Sequence, residues 1–203
     1  MNMFGHYCWV GTIAEFLKLD RGQFLDAMTM GTRRRLAEGA LVGHGQREAW
    51  RDEFLHLRRE LGQLEQKYRR LHIVFEYILP GHPDKESGKV AYCKIPDVMV
   101  FGRGGVLVLE FKQREPPPYD GFAKETRGYL RLLERWHPSV PKMSAQGALV
   151  LTKAVDFGKK YPRVRAISPD RIRAQIRKVF AEDCEPVPAP GEFLRKVGER
   201  VKG

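Results

Sequence analysis

Apolar and polar positions alternate most plainly between residues 94 and 115, KIPDVMVFGRGGVLVLEFKQRE. Runs rich in β-branched and aromatic residues flank Gly102, Arg103, Gly104 and Gly105, a composition that predicts an antiparallel hairpin. Side chains alternate along a strand, so Glu110 and Lys112 share one face and Phe111 is buried on the other. Asp97, before the turn, and Glu110, after it, therefore finish at the same end of the ribbon.

The surrounding chain reads as helices and strands in turn. Residues 11–28 carry Ile13, Phe16, Leu17, Phe24, Leu25 and Met28 with a break at Asp20, Arg21 and Gly22, which predicts two short helical pieces capping a core. Residues 32–45, with Arg33, Arg34 and Arg35 among glycines, read as a mobile basic connector that touches phosphate. A long helix is predicted over 46–70, where Trp50, Phe54, Leu57, Leu61, Leu64 and Tyr68 make one apolar stripe. Glu53 lies at the edge of that stripe, either solvated or reaching a strand end. A strand over 72–79 puts Ile73, Phe75, Tyr77 and Leu79 on one face and Glu76 on the other, beside Val74 and Ile78. An acid among such neighbours in mid-strand is expected to be paired or coordinated.

After the hairpin, Pro116, Pro117 and Pro118 stop the strand and a helix follows over 121–136. An apolar strand over 147–152 then returns by a parallel crossover, with a short strand at 164–167 beyond it. Ser168, Pro169 and Asp170 open a helix that buries Ile172, Ile176 and Val179 or Phe180. Arg173 and Arg177 share another face of it, with Arg171 and Lys178 near by; such a run is either a solvated face or one that follows phosphates. The expected architecture is α/β, a mixed central sheet flanked by helices, in three parts: a helical cap and basic connector at 1–45, a core at 46–182, and a Pro-rich linker with a short helix at 183–203.

Composition narrows the chemistry. Cys8, Cys93 and Cys184 are odd in number and scattered, and the six histidines show no ligand spacing, which excludes a disulfide framework and a zinc site. No apolar run approaches the roughly 20 residues of a membrane span, so a cytoplasmic protein is expected. Lys and Arg number 36 against 25 acids, a net charge of +11 that suits a polyanionic partner.

Asp97 and Glu110 supply the rest. Two carboxylates brought together repel, and a divalent cation between them relieves that repulsion. Mg²⁺ or Mn²⁺ takes one or two carboxylates plus water and substrate phosphate, and lowers the pKa of a bound water. Lys112 beside such an ion is placed to orient the water or offset charge on phosphorus.

Pro96-Asp97 followed by Glu110-Phe111-Lys112, in the element order αβββαβ, resembles the PD-(D/E)xK nucleases of the restriction-endonuclease-like fold. The stretches GTIAEFL, QREAW, FEYILP, IPDVMV, LVLEFK and YLRLLERWH further resemble the nuclease-like domain that precedes helicase or ATPase cores in bacterial proteins, across most of residues 11–180. The resemblance implies a metal-dependent phosphodiesterase. In it Asp97, Glu110 and the Phe111 carbonyl hold the ion, Lys112 is the catalytic lysine, Glu53 and Glu76 are supporting acids, and Tyr129 places the strand. Relatives often carry Q-x-x-x-Y on the helix after E-x-K, whereas here the spacing is met by Glu125 and Tyr129. No G-x-x-x-x-G-K-[ST] loop occurs, so any helicase or ATPase partner is expected to be another protein. The expected function is Mg²⁺- or Mn²⁺-dependent hydrolysis of DNA, in company with a separate helicase or within a defence or mobile-element system; the rival is a nucleic-acid-binding subunit of a larger complex that keeps the fold without useful catalysis.

Overall fold

Val98–Phe101 and Gly105–Lys112 pair antiparallel, with Phe101 opposite Val106 and Val98 opposite Leu109. The Gly102 N–H closes the turn on the Gly105 carbonyl at 3.1 Å. The computed structural model describes residues 7–35, 43–80, 93–113, 119–136, 140, 144–155 and 157–187. In chain order the elements are β1 (Trp9–Thr12), α1 (Ile13–Lys18), α2 (Arg21–Arg35), α3 (His44–Leu61), β2 (His72–Phe75), β3 (Leu79–Pro80), β4 (Cys93–Lys94), β5 (Val98–Phe101), β6 (Gly105–Lys112), α4 (Asp120–Trp136), β7 (Ser144–Leu151), β8 (Gly158–Tyr161), β9 (Val164–Ile167) and α5 (Ile172–Val179).

Seven strands form one mixed sheet in the order β1-β2-β5-β6-β7-β9-β8, and β3 with β4 makes a separate two-stranded ribbon. The β6–β7 and β7–β9 pairs are parallel and the others antiparallel. Leu107, Leu109 and Phe111 pack against residues of α1, α2, α3 and α5, while Val106 and Val108 pack against α4. The sheet is thus flanked by helices on both faces, and the alternation along β6 assigns Glu110 and Lys112 to the α4 side. No helix among the described residues is long and apolar enough to cross a membrane.

Several expected boundaries shift. Residues 9–12 form an edge strand, and α1 starts immediately after it on a capping box that the sequence T-x-x-E encodes. The Thr12 hydroxyl accepts from the Glu15 N–H at 3.1 Å, and the Glu15 carboxylate accepts from the Thr12 N–H at 2.7 Å. That reciprocal pair holds the Glu15 carboxyl below its usual value, the Thr12 backbone bond first. Thr12→Ala is expected to lower stability by about 1 kcal/mol in urea unfolding, the usual effect of a lost N-cap. The expected connector over 32–45 does not begin at residue 32: Arg33 and Arg34 are exposed on the last turn of α2, and Arg35 ends it. Residues 36–42 lie outside the described residues. The expected cap is also part of the main fold, since β1 pairs with β2 and Ile13, Phe16, Phe24 and Met28 are buried in the shared core.

The helix expected over 46–70 stops at Leu61. Gly62 follows as its C-cap, and the Arg69 guanidinium donates to the carbonyls of Gly62 and Leu64 at 2.7 and 2.9 Å, closing the turn into a 3₁₀ segment at Tyr68–Arg70. The strand expected over 72–79 breaks at Glu76, whose φ is +47°. Ile73 and Phe75 face one core and Tyr77 and Leu79 the other, so the expected four-residue face does not exist. The first residues of the expected 183–203 linker are bonded to the core: the Arg103 N–H donates to the Glu185 carbonyl at 2.8 Å, Arg70 pairs with Glu185 at 3.2 Å, and His72 Nε2 lies 3.1 Å from the Val187 carbonyl. Residues 188–203, with the short helix expected there, lie outside the described residues.

Candidate active site

Asp97 immediately precedes β5, and extending the Val98–Leu109 pairing by one residue puts it opposite Glu110. Asp97 Oδ2 accepts from the Phe111 N–H at 2.7 Å. A strand residue points its N–H and C=O to the same edge, so the Phe111 carbonyl faces Asp97 as well. Glu110 is only 3% exposed; its Oε1 accepts from Lys112 Nζ at 2.6 Å, and its Oε2 is buried without a hydrogen-bond partner.

The break at Glu76 brings a third acid to this end of the sheet. Its N–H donates to the Asp97 carbonyl at 2.9 Å, which ties the end of β2 to the start of β5. Its carboxylate accepts from Trp50 Nε1 at 2.6 Å and Gln46 Nε2 at 2.8 Å, both on α3, and from the Cys8 thiol at 3.6 Å. Glu53, one helical turn beyond Trp50, is 6% exposed, so it is not a solvated helix acid.

Crowding appears in the protonation of these groups. Burial pushes the Glu53 carboxyl well above its usual value, and Asp97, Glu76, Glu110 and Asp52 push it further. Asp97 is raised by burial and by Glu110, against the opposing pull of the Phe111 N–H and Lys112. Glu110 is raised by burial in spite of Lys112. Burial acts to lower Lys112, but Glu110, Asp97 and Glu125 outweigh it and leave the ammonium firmly charged.

A carboxyl raised in the folded state contributes full stability below its unfolded value and loses it as pH rises toward the folded value. Glu53→Gln is therefore expected to raise the melting temperature of metal-free protein by about 3 °C or more at neutral pH. That advantage should vanish below the ordinary glutamate value of 4.5, where Glu53 is protonated folded and unfolded. Thermal melts of both proteins across pH check it; a variant no more stable than wild type at pH 7 would remove the repulsion.

On α4, Glu125 lies 3.8 Å from Lys112 and hydrogen-bonds Tyr129 one turn later. Glu125 is thus partnered rather than freely solvated. Tyr129 is 3% exposed, and burial, then Glu110 and Glu125, hold its hydroxyl far above the usual range, so it is a neutral donor. The Lys112 ammonium also sits 5.2 Å from the Phe122 ring centre.

The fit to a cation is specific. Among the described residues no three His, Cys, Asp or Glu side chains close around one point. What fits is narrower: the partnerless Glu110 Oε2, the Asp97 carboxylate and the Phe111 carbonyl on its side. That is two carboxylates and one carbonyl, with the remaining positions left to water and substrate oxygen, a donor set suited to Mg²⁺ or Mn²⁺.

The basic candidates divide. Arg33 and Arg34 emerge where α2 meets β1, since Thr32 contacts Cys8 at 3.2 Å, and Cys8 in turn reaches Glu76. Arg173 and Arg177 do share a face, but that face holds α5 to the turn after α3: Arg173 bonds Gln63, and Arg177 pairs with Glu65 at 2.7 Å. Arg171 and Lys178 instead line a groove with residues of β8 and β9. Trp50 and Gln46, which fix Glu76, carry no local signal of that role beyond the apolar stripe of α3. Comparison with known proteins adds no relative: no family model matches the chain, and no curated protein matches it.

Proposed function

We propose that the protein is a metal-dependent phosphodiesterase acting on DNA, built on a restriction-endonuclease-like core. The convergence of Asp97, Glu110 and Lys112 at one end of a hairpin carries this reading, above all the buried, partnerless Oε2 of Glu110. The order α3, β2, β5, β6, α4, β7 supports it, as does the net charge of +11.

Asp97, Glu110 and the Phe111 carbonyl would hold Mg²⁺ or Mn²⁺. Bound there, the ion would generate hydroxide from water near neutral pH and offset charge on the phosphodiester. Lys112, charged and anchored through Glu110, faces the position where negative charge grows on the phosphoryl oxygens. Glu76, fixed by Trp50 and Gln46, and Glu53 behind it gather further carboxyls at that end of the sheet, a crowding that a cation relieves and a bare phosphate would not. Tyr129 is available as a neutral hydrogen-bond donor on the α4 side.

A binding subunit with lost chemistry is the second reading, favoured by Glu125, whose charge lies near Lys112 where relatives often carry glutamine. Incubating purified protein with supercoiled plasmid and with single-stranded circles, in Mg²⁺, Mn²⁺ or EDTA, separates the two. Nicking that needs the metal supports the nuclease; binding without cleavage of either substrate hands the protein to the second reading.

A further inference from the structure

The sheet extends beyond the helix that covers it. Ile167 packs in the core with α5, so Arg165, two residues earlier on β9, points to the same side. Its partner across the ladder is Lys160, on an edge strand whose Gly158, Lys159 and Lys160 are all exposed. The start and outer face of α5 form the opposite wall, with Arg171 beside Gly158 and Lys178 about two turns further on. The groove between them encloses about 510 Å³, and among the described residues Lys160, Arg165, Arg171 and Lys178 line it against one acid, Asp170, while the Lys159 ammonium turns to the other face over the Tyr161 ring.

Lysines on an edge strand guard against unwanted strand pairing, which accounts for Lys159 and Lys160 alone. It does not account for Arg165, Arg171 and Lys178 facing Lys160 across the groove. Like charges gathered across a groove repel, and an anion lying in it removes that repulsion.

The groove also leads somewhere. Asp170 borders a second depression, lined by His56, Gln63, Thr152, Arg173 and the ion pair of Arg59 with Glu60. Thr152 donates its N–H to the Lys112 carbonyl at 3.1 Å. From Lys112 past Thr152 and Asp170, the line crosses the ends of β6, β7 and β9, about 10 Å at the usual strand spacing. That is the span of about three nucleotides of a single strand in a duplex.

We propose that this track holds the phosphodiester backbone of a nucleic acid to one side of the candidate active site, an inference that rests on reading that site as one acting on nucleic acid. The test is fluorescence anisotropy of a labelled duplex and of its single strand in EDTA, over a range of salt. The variant is Lys160→Ala/Arg165→Ala/Lys178→Ala. The control is Lys18→Ala/Arg21→Ala/Lys67→Ala, equal in charge and placed near the hairpin-turn end of the sheet.

The groove variant should bind about tenfold or more weakly at low salt. Its log K against log salt should flatten by about 2.7 on duplex or about 2.1 on single strand, near 0.9 and 0.7 per phosphate. The charge-keeping Lys160→Arg/Arg165→Lys/Lys178→Arg should bind like wild type. Lys178→Ala alone, on the exposed side of a helix, keeps the test open if the triple variant fails to fold; it should flatten the duplex slope by about 0.9. A slope equal to that of the control, or a wild type that binds neither probe, overturns the track. Plasmid nicking is read separately. Wild type that never nicks while the groove variant loses binding ends the nuclease reading and leaves the track; metal-dependent nicking with an unaltered groove slope ends the track alone.

Discussion

Lys112→Ala is expected to cleave on the order of 100-fold or more slowly than wild type while binding DNA nearly as well. The ammonium lies against Glu110 on the α4 face, where it meets charge that develops only as the phosphodiester reacts. An interaction stronger in the transition state than in the bound substrate lowers the rate when removed and leaves ground-state binding nearly intact. Its effect on stability depends on metal. Lys112 is the partner of Glu110 Oε1, and Oε2 already has none, so truncation takes the neighbouring ammonium away from a buried carboxyl. Metal-free Lys112→Ala should therefore melt below wild type, increasingly so as pH rises through the folded wild-type value of Glu110, which burial holds above the ordinary 4.5. In Mg²⁺ the two melting curves should converge. Equal nicking rates in pure preparations would move the chemistry elsewhere.

Asp97→Asn is expected to weaken Mn²⁺ binding about tenfold or more, since loss of even an outer partner of a metal ligand has effects of that size. The substitution is nearly isosteric, and the amide oxygen still accepts from the Phe111 N–H, so the strand ends keep their geometry. It also removes one member of a repelling group. Metal-free Asp97→Asn should consequently melt at or above the wild-type temperature, and gain less from added Mn²⁺. Calorimetric titration beside thermal melts reads both effects together. Undiminished affinity would dismiss Asp97 as a ligand, whatever the activity does.

The hairpin and its acid pair are legible in the sequence because they depend on local rules: glycines at the turn and a period of two along β6. The helices at 121–136 and after Ser168 follow from equally local signals. Residues whose placement depends on distant partners are not legible. Glu76 reads as a mid-strand acid, and only its bonds to Asp97, Trp50 and Gln46 account for a backbone that leaves the strand. Glu53 can be buried only because α3 lies over the ends of β5 and β6, which the stripe containing Trp50 does not specify. Short polar edges escape for a different reason. GKKY has no apolar alternation at all, and WVGT runs directly into the capping box of α1.

The bonds from residues 183–187 to the hairpin turn bear on misfolding. Gly104 admits no Cβ because the Asp183 backbone lies against it, and a Cβ on Gly102 would meet the Glu185 carbonyl at 2.8 Å. The turn is thus seated in a mould formed by a segment some eighty residues later. A slip of one residue in β6 would exchange its two faces, sending Glu110 and Lys112 into the apolar layer and Phe111 toward α4. The turn lies about 20 Å from the chemistry at strand rise, so a chain shortened to residue 182 is expected to lose this constraint on strand alignment while keeping Asp97, Glu110 and Lys112.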